Sequence, residues 1–364
     1  MPRSLAPRVH ALRWLVLLLA LLPVILFAET PTDVGTTGVG FHAISMRDPV
    51  GGGSMPGYVF YPSAQAKGTT WRGPYEVAAT ADAAALPGAK PLIVLSHGNG
   101  GDDLGHHDLA TYLASHGFVV ATLEHPKDNF HDKSGVGHAE VLGGRALQVS
   151  ATISAVLADP QWKNLVDARR IGVAGFSAGG YTSLLLVGAK PRFDRFIDFC
   201  RRHPHDDPDL CGNAEQVKQQ LAQRGLSIEQ YFAQLQQDFA RLGPTADSRV
   251  KAAFVMAPLS LIFDQAGIAR IDRPVFLYYG SNDHVLPPPD NAAQIRPWIK
   301  TLTGYKVVPG ADHWVFLAPC SAQLAKELQT ICSDPPGVDR VAVHKQIGAD
   351  AVTFFRKTLA VSTH

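Results

Sequence analysis

Residues 170–180 read Arg-Ile-Gly-Val-Ala-Gly-Phe-Ser-Ala-Gly-Gly, and they predict a buried strand that turns sharply into a helix. The run before Ser177 is apolar, as in a buried strand, and helical spacing follows from Tyr181 to Val187. Gly-x-Ser-x-Gly between a strand and a helix is typical of a nucleophile elbow, in which a strained serine is exposed at the end of a sheet. The motif needs its two glycines because Cβ atoms there would collide with the crossing strand and helix. Ser177 is therefore the candidate nucleophile. A glycine-rich turn without chemistry is the alternative.

Strand-like and helix-like segments alternate on both sides of this stretch. Strands are predicted at 40–46, 58–61, 91–95, 118–123, 171–174, 250–256, 275–279 and 305–308, with a long surface connection between the second and third. Helices are predicted at 108–115, 145–158 and 291–302, and at the C terminus, where Ile347, Ala351, Phe354, Phe355 and Leu359 share one face. This alternation predicts an α/β fold with a mostly parallel central sheet flanked by helices. Residues 191–248 interrupt it and predict a helical insertion, either a lid over the strand ends or a decoration at the side.

Two later predicted strands each run into a candidate catalytic residue, the first into Asp283 and the second into His313. Neighbouring strands lie about 4.8 Å apart, so both loops can reach the nucleophile. A serine hydroxyl needs a base to take its proton as it attacks, and a carboxylate orients that base. We predict His313 as the base and Asp283 as the acid. Asp312 and His284 are near neighbours of this pair; Asp312 is the alternative acid, but it is expected to point away from His313.

The strand at 91–95 ends in Ser-His-Gly-Asn-Gly-Gly, residues 96–101. A tetrahedral intermediate needs preorganised donors for its negative oxygen. One is predicted to be the backbone N–H of Ala178, directly after the nucleophile. The other is predicted to be the N–H of Asn99, with Gly98 as the second choice. His97 is then expected to be structural.

The charge balance and the N terminus limit the partners and the compartment. The 364 residues hold 33 Lys plus Arg against 32 Asp plus Glu, so neither a nucleic-acid partner nor a polybasic membrane patch is indicated. Three arginines precede an uncharged apolar run at 14–27 (Arg3, Arg8 and Arg13). We predict a signal peptide at 1–28 that is cleaved after Ala28, followed by one domain at 29–364 without stable membrane insertion. An uncleaved membrane anchor is the alternative to a periplasmic or secreted protein.

The chain has four cysteines, Cys200, Cys211, Cys320 and Cys332. An even number in an exported protein predicts disulfides. Three pairings are possible, of which pairing within each local couple is the simplest; metal binding is the other alternative, although no Cys-x-x-Cys spacing occurs. Two clusters of Asp and His, at 102–108 and 203–209, match no known ligand spacing. We interpret them as solvated polar residues and predict no metal site.

Several motifs together resemble the serine α/β-hydrolases that are grouped with dienelactone hydrolases and platelet-activating-factor acetylhydrolases. They are residues 95–101, 113–121 with Glu-His-Pro after them, 175–179 and 313–320. The resemblance covers most of the chain after the signal segment and implies hydrolysis of carboxylic esters without a cofactor. Dienelactone hydrolases carry cysteine where this chain has Ser177. In the acetylhydrolases the acid follows the preceding strand, which here ends in Met256-Ala257-Pro258; this favours Asp283 and disfavours a phospholipid substrate.

The sequence thus predicts an exported serine esterase of small-molecule esters. A peptidase or acyltransferase with the same three side chains is the alternative enzyme. A non-catalytic binding protein on the same fold is the alternative from another class, because a fold alone does not give a function.

Overall fold

The computed structural model of the protein describes Met1 and residues 37–65, 67–202, 211 and 214–360. The predicted signal peptide and the polar cluster at 203–209 lie outside the described residues.

Eleven strands form within the described part of the chain. They are β1 (Gly38–Arg47), β2 (Ser54–Ser63), β3 (Thr70–Arg72), β4 (Tyr75–Val77), β5 (Thr80–Ala81), β6 (Lys90–Ser96), β7 (Val119–Leu123), β8 (Val166–Phe176), β9 (Val250–Met256), β10 (Val275–Gly280) and β11 (Leu302–Val308).

The same residues form twelve α-helices and two 3-10 helices. The α-helices are α1 (His107–Ser115), α2 (Ala139–Leu142), α3 (Gly144–Ala158), α4 (Ala178–Leu186), α5 (Arg195–Arg202), α6 (Ala214–Gln223), α7 (Ile228–Arg241), α8 (Gln265–Ile268), α9 (Ala292–Ile295), α10 (Ala322–Glu327), α11 (Gln329–Cys332) and α12 (Arg340–Thr358). The 3-10 helices span Arg296–Trp298 and His313–Phe316.

Nine of the described strands form one sheet in the order β11-β10-β9-β8-β6-β7-β2-β1-β5. The strands from β6 to β11 pair in parallel, whereas β2 runs antiparallel to both β1 and β7. Parallel neighbours need crossover connections, which the intervening helices supply. The predicted mostly parallel sheet, flanked by helices and interrupted by a helical insertion, is confirmed.

Both faces of this sheet are buried under helices. On one face, α12 and Leu359 directly after it cover the sheet, and all five apolar residues predicted for this helical face are buried. Helix α3 lies on the other face. The apolar stretch Ala139–Ala158 is long enough to cross a membrane, but 61% of it is buried inside the protein, as in a core helix. Fully burying one large apolar side chain contributes about 1.5–3 kcal/mol, so both helices are held mainly by their apolar faces.

Two local expectations are wrong. The helix predicted at 291–302 is only α9 and the short 3-10 helix Arg296–Trp298, and β11 already begins at Leu302. Pro297 explains the early end, because proline has no N–H for the helical ladder. The connection after β2 is not a plain loop, since β3 and β4 form an antiparallel hairpin that turns at Gly73, which has a φ of 53°.

The helical insertion consists of α5, α6 and α7 in its described part. Ser227 and Gln230 form a capping box at the start of α7. Arg195 of α5 donates to the carbonyl of Leu261 at 2.8 Å and to the Gln294 side chain at 3.0 Å. The insertion is therefore anchored to the segments that follow β9 and β10, on the side of the sheet where parallel strands end.

Candidate active site

Ser177 lies on a strained turn between β8 and α4. Its φ of 54° is in the left-handed region, which non-glycine residues seldom adopt. A Cβ atom at Gly175 would fall on the carbonyl oxygen of Gly179, and one at Gly179 would fall on the carbonyl oxygen of Ser96. The Ser177 N–H donates to the Met256 carbonyl at 3.0 Å. The surrounding strands therefore hold the serine in a conformation that it would not adopt alone.

The structure brings Ser177, His313 and Asp283 together. His313 Nε2 lies 2.9 Å from Ser177 Oγ, and His313 Nδ1 lies 2.7 Å from Asp283 Oδ2. The side chains of His313 and Asp283 are 2% and 1% exposed, so water does not compete for their hydrogen bond. A carboxylate accepts only, so Nδ1 carries the proton and Nε2 is free to accept from the serine hydroxyl.

Asp312 and His284, the near neighbours of this pair in the sequence, have different surroundings. Asp312 accepts the N–H of Trp314 at 3.0 Å and so caps the 3-10 helix His313–Phe316; burial raises the pKa of its carboxyl. His284 is exposed. Asp283 is instead fixed by its own turn, because its Oδ1 accepts the N–H groups of Val285 at 3.0 Å and Leu286 at 2.7 Å.

The turn that carries one predicted oxyanion donor packs against the serine, and the other predicted donor follows the serine in the chain. A Cβ atom at Gly98 would be 3.2 Å from Ser177 Cβ, so the turn after β6 packs directly against the elbow. Ala178 is the first residue of α4, where helical N–H groups have no intrahelical partner. Within the described residues, neither the Ala178 N–H nor the Asn99 N–H donates a hydrogen bond to the protein. Both are therefore available to a ligand.

Sequence reasoning missed a buried polar network behind this turn. Arg145 of α3 pairs with Asp128 at 2.5 Å, and both side chains are almost fully buried. His125 Nε2 lies 2.8 Å from Ser96 Oγ, and its Nδ1 lies 2.7 Å from Gln148 Oε1. Burial, with Arg145 as a further cause, holds the pKa of His97 and of His125 well below the usual range, so both rings are neutral. The signal that could have found the network is an arginine beside the apolar face of α3.

The two histidines of the polar cluster at 102–108 are not solvated, contrary to our interpretation. His106 and His107 are buried, and Asp102 accepts the Tyr75 hydroxyl of the β3–β4 hairpin at 2.5 Å. Asp108 pairs with His344 of α12, whose Nε2 lies 2.8 Å from the Val315 carbonyl in the 3-10 helix that carries His313. The hairpin and α12 cover the cluster, and the sequence does not reveal that cover. No group of three or more metal ligands occurs among the described residues.

The cysteines pair within each local couple, Cys200 with Cys211 and Cys320 with Cys332. The simplest of the three pairings is therefore the one adopted. Disulfides persist in oxidising compartments, so they indicate an extracellular or periplasmic location. The second disulfide closes the segment that follows the His313 helix.

A family model described as platelet-activating factor acetylhydrolase, isoform II, matches residues 70–135. This region begins with the β3–β4 hairpin and includes the 96–101 turn and Asp128. It does not include Ser177, Asp283 or His313. The comparison with curated proteins found no match.

Among solved structures, the ferulic acid esterase from Streptomyces cinnamoneus is similar over 89% of this chain and 91% of its own, with a TM-score of 0.57 and 20% identity. This likeness shows the fold, and the family match adds that the region around the predicted oxyanion turn is similar to platelet-activating factor acetylhydrolase, isoform II. Together they support the resemblance indicated by the sequence motifs. The chain has the α/β-hydrolase fold and is similar to the platelet-activating-factor acetylhydrolase and dienelactone hydrolase group.

Proposed function

We propose that this protein is an exported serine hydrolase that cleaves carboxylic esters through an acyl-enzyme on Ser177. The observation that carries the proposal is the unbroken hydrogen-bonded series from Ser177 Oγ through His313 to Asp283. A serine activated in this way attacks acyl carbons at neutral pH.

In the first half-reaction, Ser177 Oγ forms a bond to the acyl carbon while its proton moves to His313 Nε2. Asp283 stabilises the imidazolium that results. The carbonyl oxygen becomes an oxyanion, which accepts hydrogen bonds from the N–H groups of Ala178 and Asn99. The positive end of α4, which begins at Ala178, adds to this stabilisation.

The first half-reaction ends when the bond to the alcohol breaks and His313 gives its proton to the departing oxygen, which leaves the acyl group on Ser177. Water then attacks the acyl-enzyme and passes a proton to His313. When the second tetrahedral intermediate collapses, the proton returns to Ser177 Oγ and the carboxylic acid leaves. These three side chains and two peptide groups account for each proton transfer and each developing charge.

The substrate class is a small-molecule carboxylic ester. The structural neighbour is a ferulic acid esterase, so feruloyl esters belong in the substrate panel beside simple alkanoyl esters. The family match adds acetyl esters to the panel.

The test uses the mature protein with a fluorophosphonate probe and nitrophenyl esters of graded chain length. We expect labelling and turnover in the wild type and in Ser115→Ala, which removes a hydroxyl at the end of α1, and neither in Ser177→Ala. Absence of labelling and ester turnover in the wild type contradicts the proposal. Turnover of peptides alone favours the peptidase alternative.

Export is part of the proposal and has its own test. The two disulfides support it, and so does the signal-like segment at 1–28. N-terminal sequencing of the protein recovered from the periplasm or medium is expected to begin at Glu29. Recovery only in the membrane fraction, with residues 1–28 still attached, favours the anchor.

A further inference from the structure

A buried ion pair lies behind the turn at residues 98–101. The proposed reaction gives this pair no role. Arg145 Nη1 lies 2.5 Å from Asp128 Oδ2, and the two side chains are 2% and 0% exposed. Two charges so deeply buried are tolerated only when hydrogen bonds satisfy their remaining donors and acceptors. The identity of those partners therefore indicates what the pair holds in place.

Arg145 joins the two elements that carry the proposed oxyanion donors. Its Nη2 donates to the carbonyl oxygen of His97, at the end of β6. Its Nε donates to Thr182 Oγ1 at 3.2 Å, one turn into α4. The planar guanidinium presents its N–H groups in a fixed geometry, so it sets the separation between β6 and the start of α4.

Asp128 holds the same turn from the other side. Its Oδ1 accepts the N–H of Gly100 at 2.9 Å. With the Asn99 amide oriented so that its nitrogen faces the carboxylate, this nitrogen lies 2.9 Å from both Asp128 oxygens. Asp128 thus fixes the side chain of Asn99 and the peptide group that follows it.

These bonds also set the direction of two peptide N–H groups. In a trans peptide the C=O and the following N–H point in opposite directions, and no cis bond occurs among the described residues. The His97 carbonyl faces the buried Arg145, so the Gly98 N–H faces away from it. The Gly98 carbonyl accepts from the Gly101 N–H at 3.2 Å, so the Asn99 N–H faces away from that bond.

His97 supplies the remaining constraint. Its Nε2 accepts the backbone N–H of His125 at 3.0 Å, so the proton of this neutral ring is on Nδ1. Nδ1 then donates to the Gly98 carbonyl at 2.6 Å. The carbonyl groups of His97 and Gly98 share peptide groups with these two N–H groups. Both carbonyl oxygens therefore accept hydrogen bonds from buried or local donors.

We propose that Arg145 and Asp128 are positioning residues, which hold the turn so that the N–H of Asn99, and beside it that of Gly98 as the second choice of donor, points in the direction of the oxyanion. The inference rests on the proposed ester hydrolysis, because an oxyanion forms only if an acyl group is attacked. An ion pair that merely stabilises the fold is the competing account. It predicts loss of folded protein, with the turnover number of each folded molecule unchanged.

The test compares Arg145→Met, Asp128→Asn and the double variant, which has no buried charge and so is the one best able to fold. Turnover of a nitrophenyl ester is normalised to the number of active sites, counted by end-point labelling with a fluorophosphonate. Because an oxyanion donor acts mainly in the transition state, we expect kcat per active site to fall on the order of 100-fold while KM changes less than about threefold.

The control pair is Arg249→Met with Asp247→Asn, which breaks an Arg–Asp pair at the amino end of β9, away from the strand ends that carry the site. Its kcat per active site is expected to be unchanged.

Hydrogen exchange supplies a readout that does not depend on ester turnover. In Arg145→Met and in the double variant, amides in the peptide covering residues 96–101 are expected to exchange faster, with the control pair at the wild-type rate. Unchanged exchange in that peptide overturns the positioning role, whatever the activity. Faster exchange with wild-type kcat per active site also overturns it, whereas a wild type without any ester turnover overturns the proposed function.

Discussion

The two sides of the candidate site are held in different ways. On the acid–base side, Asp283 is fixed by N–H groups two and three residues along the chain, and Asp312 caps the helix that begins with His313. On the oxyanion side, the turn at 98–101 is fixed by Arg145, which lies 48 residues from its backbone partner His97 directly before the turn, and by Asp128, which lies 28 residues from its partner Gly100. Local turns preserve the acid and the base as long as the loops are intact. The oxyanion side depends on the packing of α3 against the sheet, so the two sides should respond differently to mutation and to pH.

The largest effect is expected on the acid–base side. His313→Ala should lower kcat about 10⁶-fold and Asp283→Asn about 10⁴-fold, by analogy with the serine protease triads. Asp312→Asn should cost far less, because Asp312 caps a helix and does not touch the imidazole. Steady-state kinetics of the three variants checks this, and equal losses in Asp283→Asn and Asp312→Asn would show that the acid is misassigned.

The elbow at Ser177 packs against the end of β6, and this contact joins the two sides. The stability of the protein should be most sensitive to substitutions there. Gly179→Ala places a Cβ atom on the carbonyl oxygen of Ser96, so the elbow and the end of β6 must separate. We expect a loss of at least about 3 kcal/mol in the free energy of unfolding. Gly53→Ala is the control, since nothing lies within 4 Å of a Cβ atom there. Urea denaturation measures the free energy of unfolding of both variants. A similar small loss in each would contradict close packing between the elbow and the end of β6.

The oxyanion side should make the protein sensitive to acid. Burial lowers the pKa of His97, His106 and His125, that of His106 to about 4. Below about pH 6.5 the unfolded chain binds protons that these folded histidines do not. The free energy of unfolding therefore decreases as the pH is lowered, by about 1.4 kcal/mol per pH unit for each histidine.

His106 allows that dependence to be tested. Its ring packs edge-on against Phe176, and neither ring nitrogen has a hydrogen-bond partner among the described residues. His106→Phe should therefore flatten the slope of unfolding free energy against pH between pH 4.5 and 6.5 by about one proton. An unchanged slope in His106→Phe means that the ring is protonated in the folded protein.

The smallest effect is expected at the pair that supports the His313 helix from outside. The pKa of His344 is raised because the attraction and hydrogen bond of Asp108 outweigh its burial. Since the folded pKa is above the unfolded one, the pair's contribution is fully present below about pH 6.5 and is lost as pH rises through the raised value. His344→Gln should cost about 1–2 kcal/mol at pH 6 and less at pH 9. Denaturation at both pH values checks this, and a cost that increases with pH would contradict it.

The comparison also explains which features the sequence reveals. Ser177, Asp283 and His313 follow strands that are recognisable from short apolar runs, and the order of those strands along the chain is enough to place them at one edge of the sheet. Arg145 and Asp128 belong to a helix and a loop whose approach depends on tertiary packing, and neither lies in a motif. His106 and His107 look solvated because the hairpin and α12 that bury them are distant in sequence. Pro297 is visible in the sequence, and it ends the helix predicted at 291–302 early because proline has no N–H for the helical ladder.

The central claim is that acyl transfer passes through Ser177, and the most direct test is to trap the acyl group. The wild type is mixed with a nitrophenyl ester, quenched in acid within the first turnover, digested and mapped by mass spectrometry, with Ser177→Ala treated in parallel. The account predicts the mass of one acyl group on the peptide that contains Ser177, and no adduct in the variant. An adduct on another residue, or ester turnover that continues in Ser177→Ala, would contradict it.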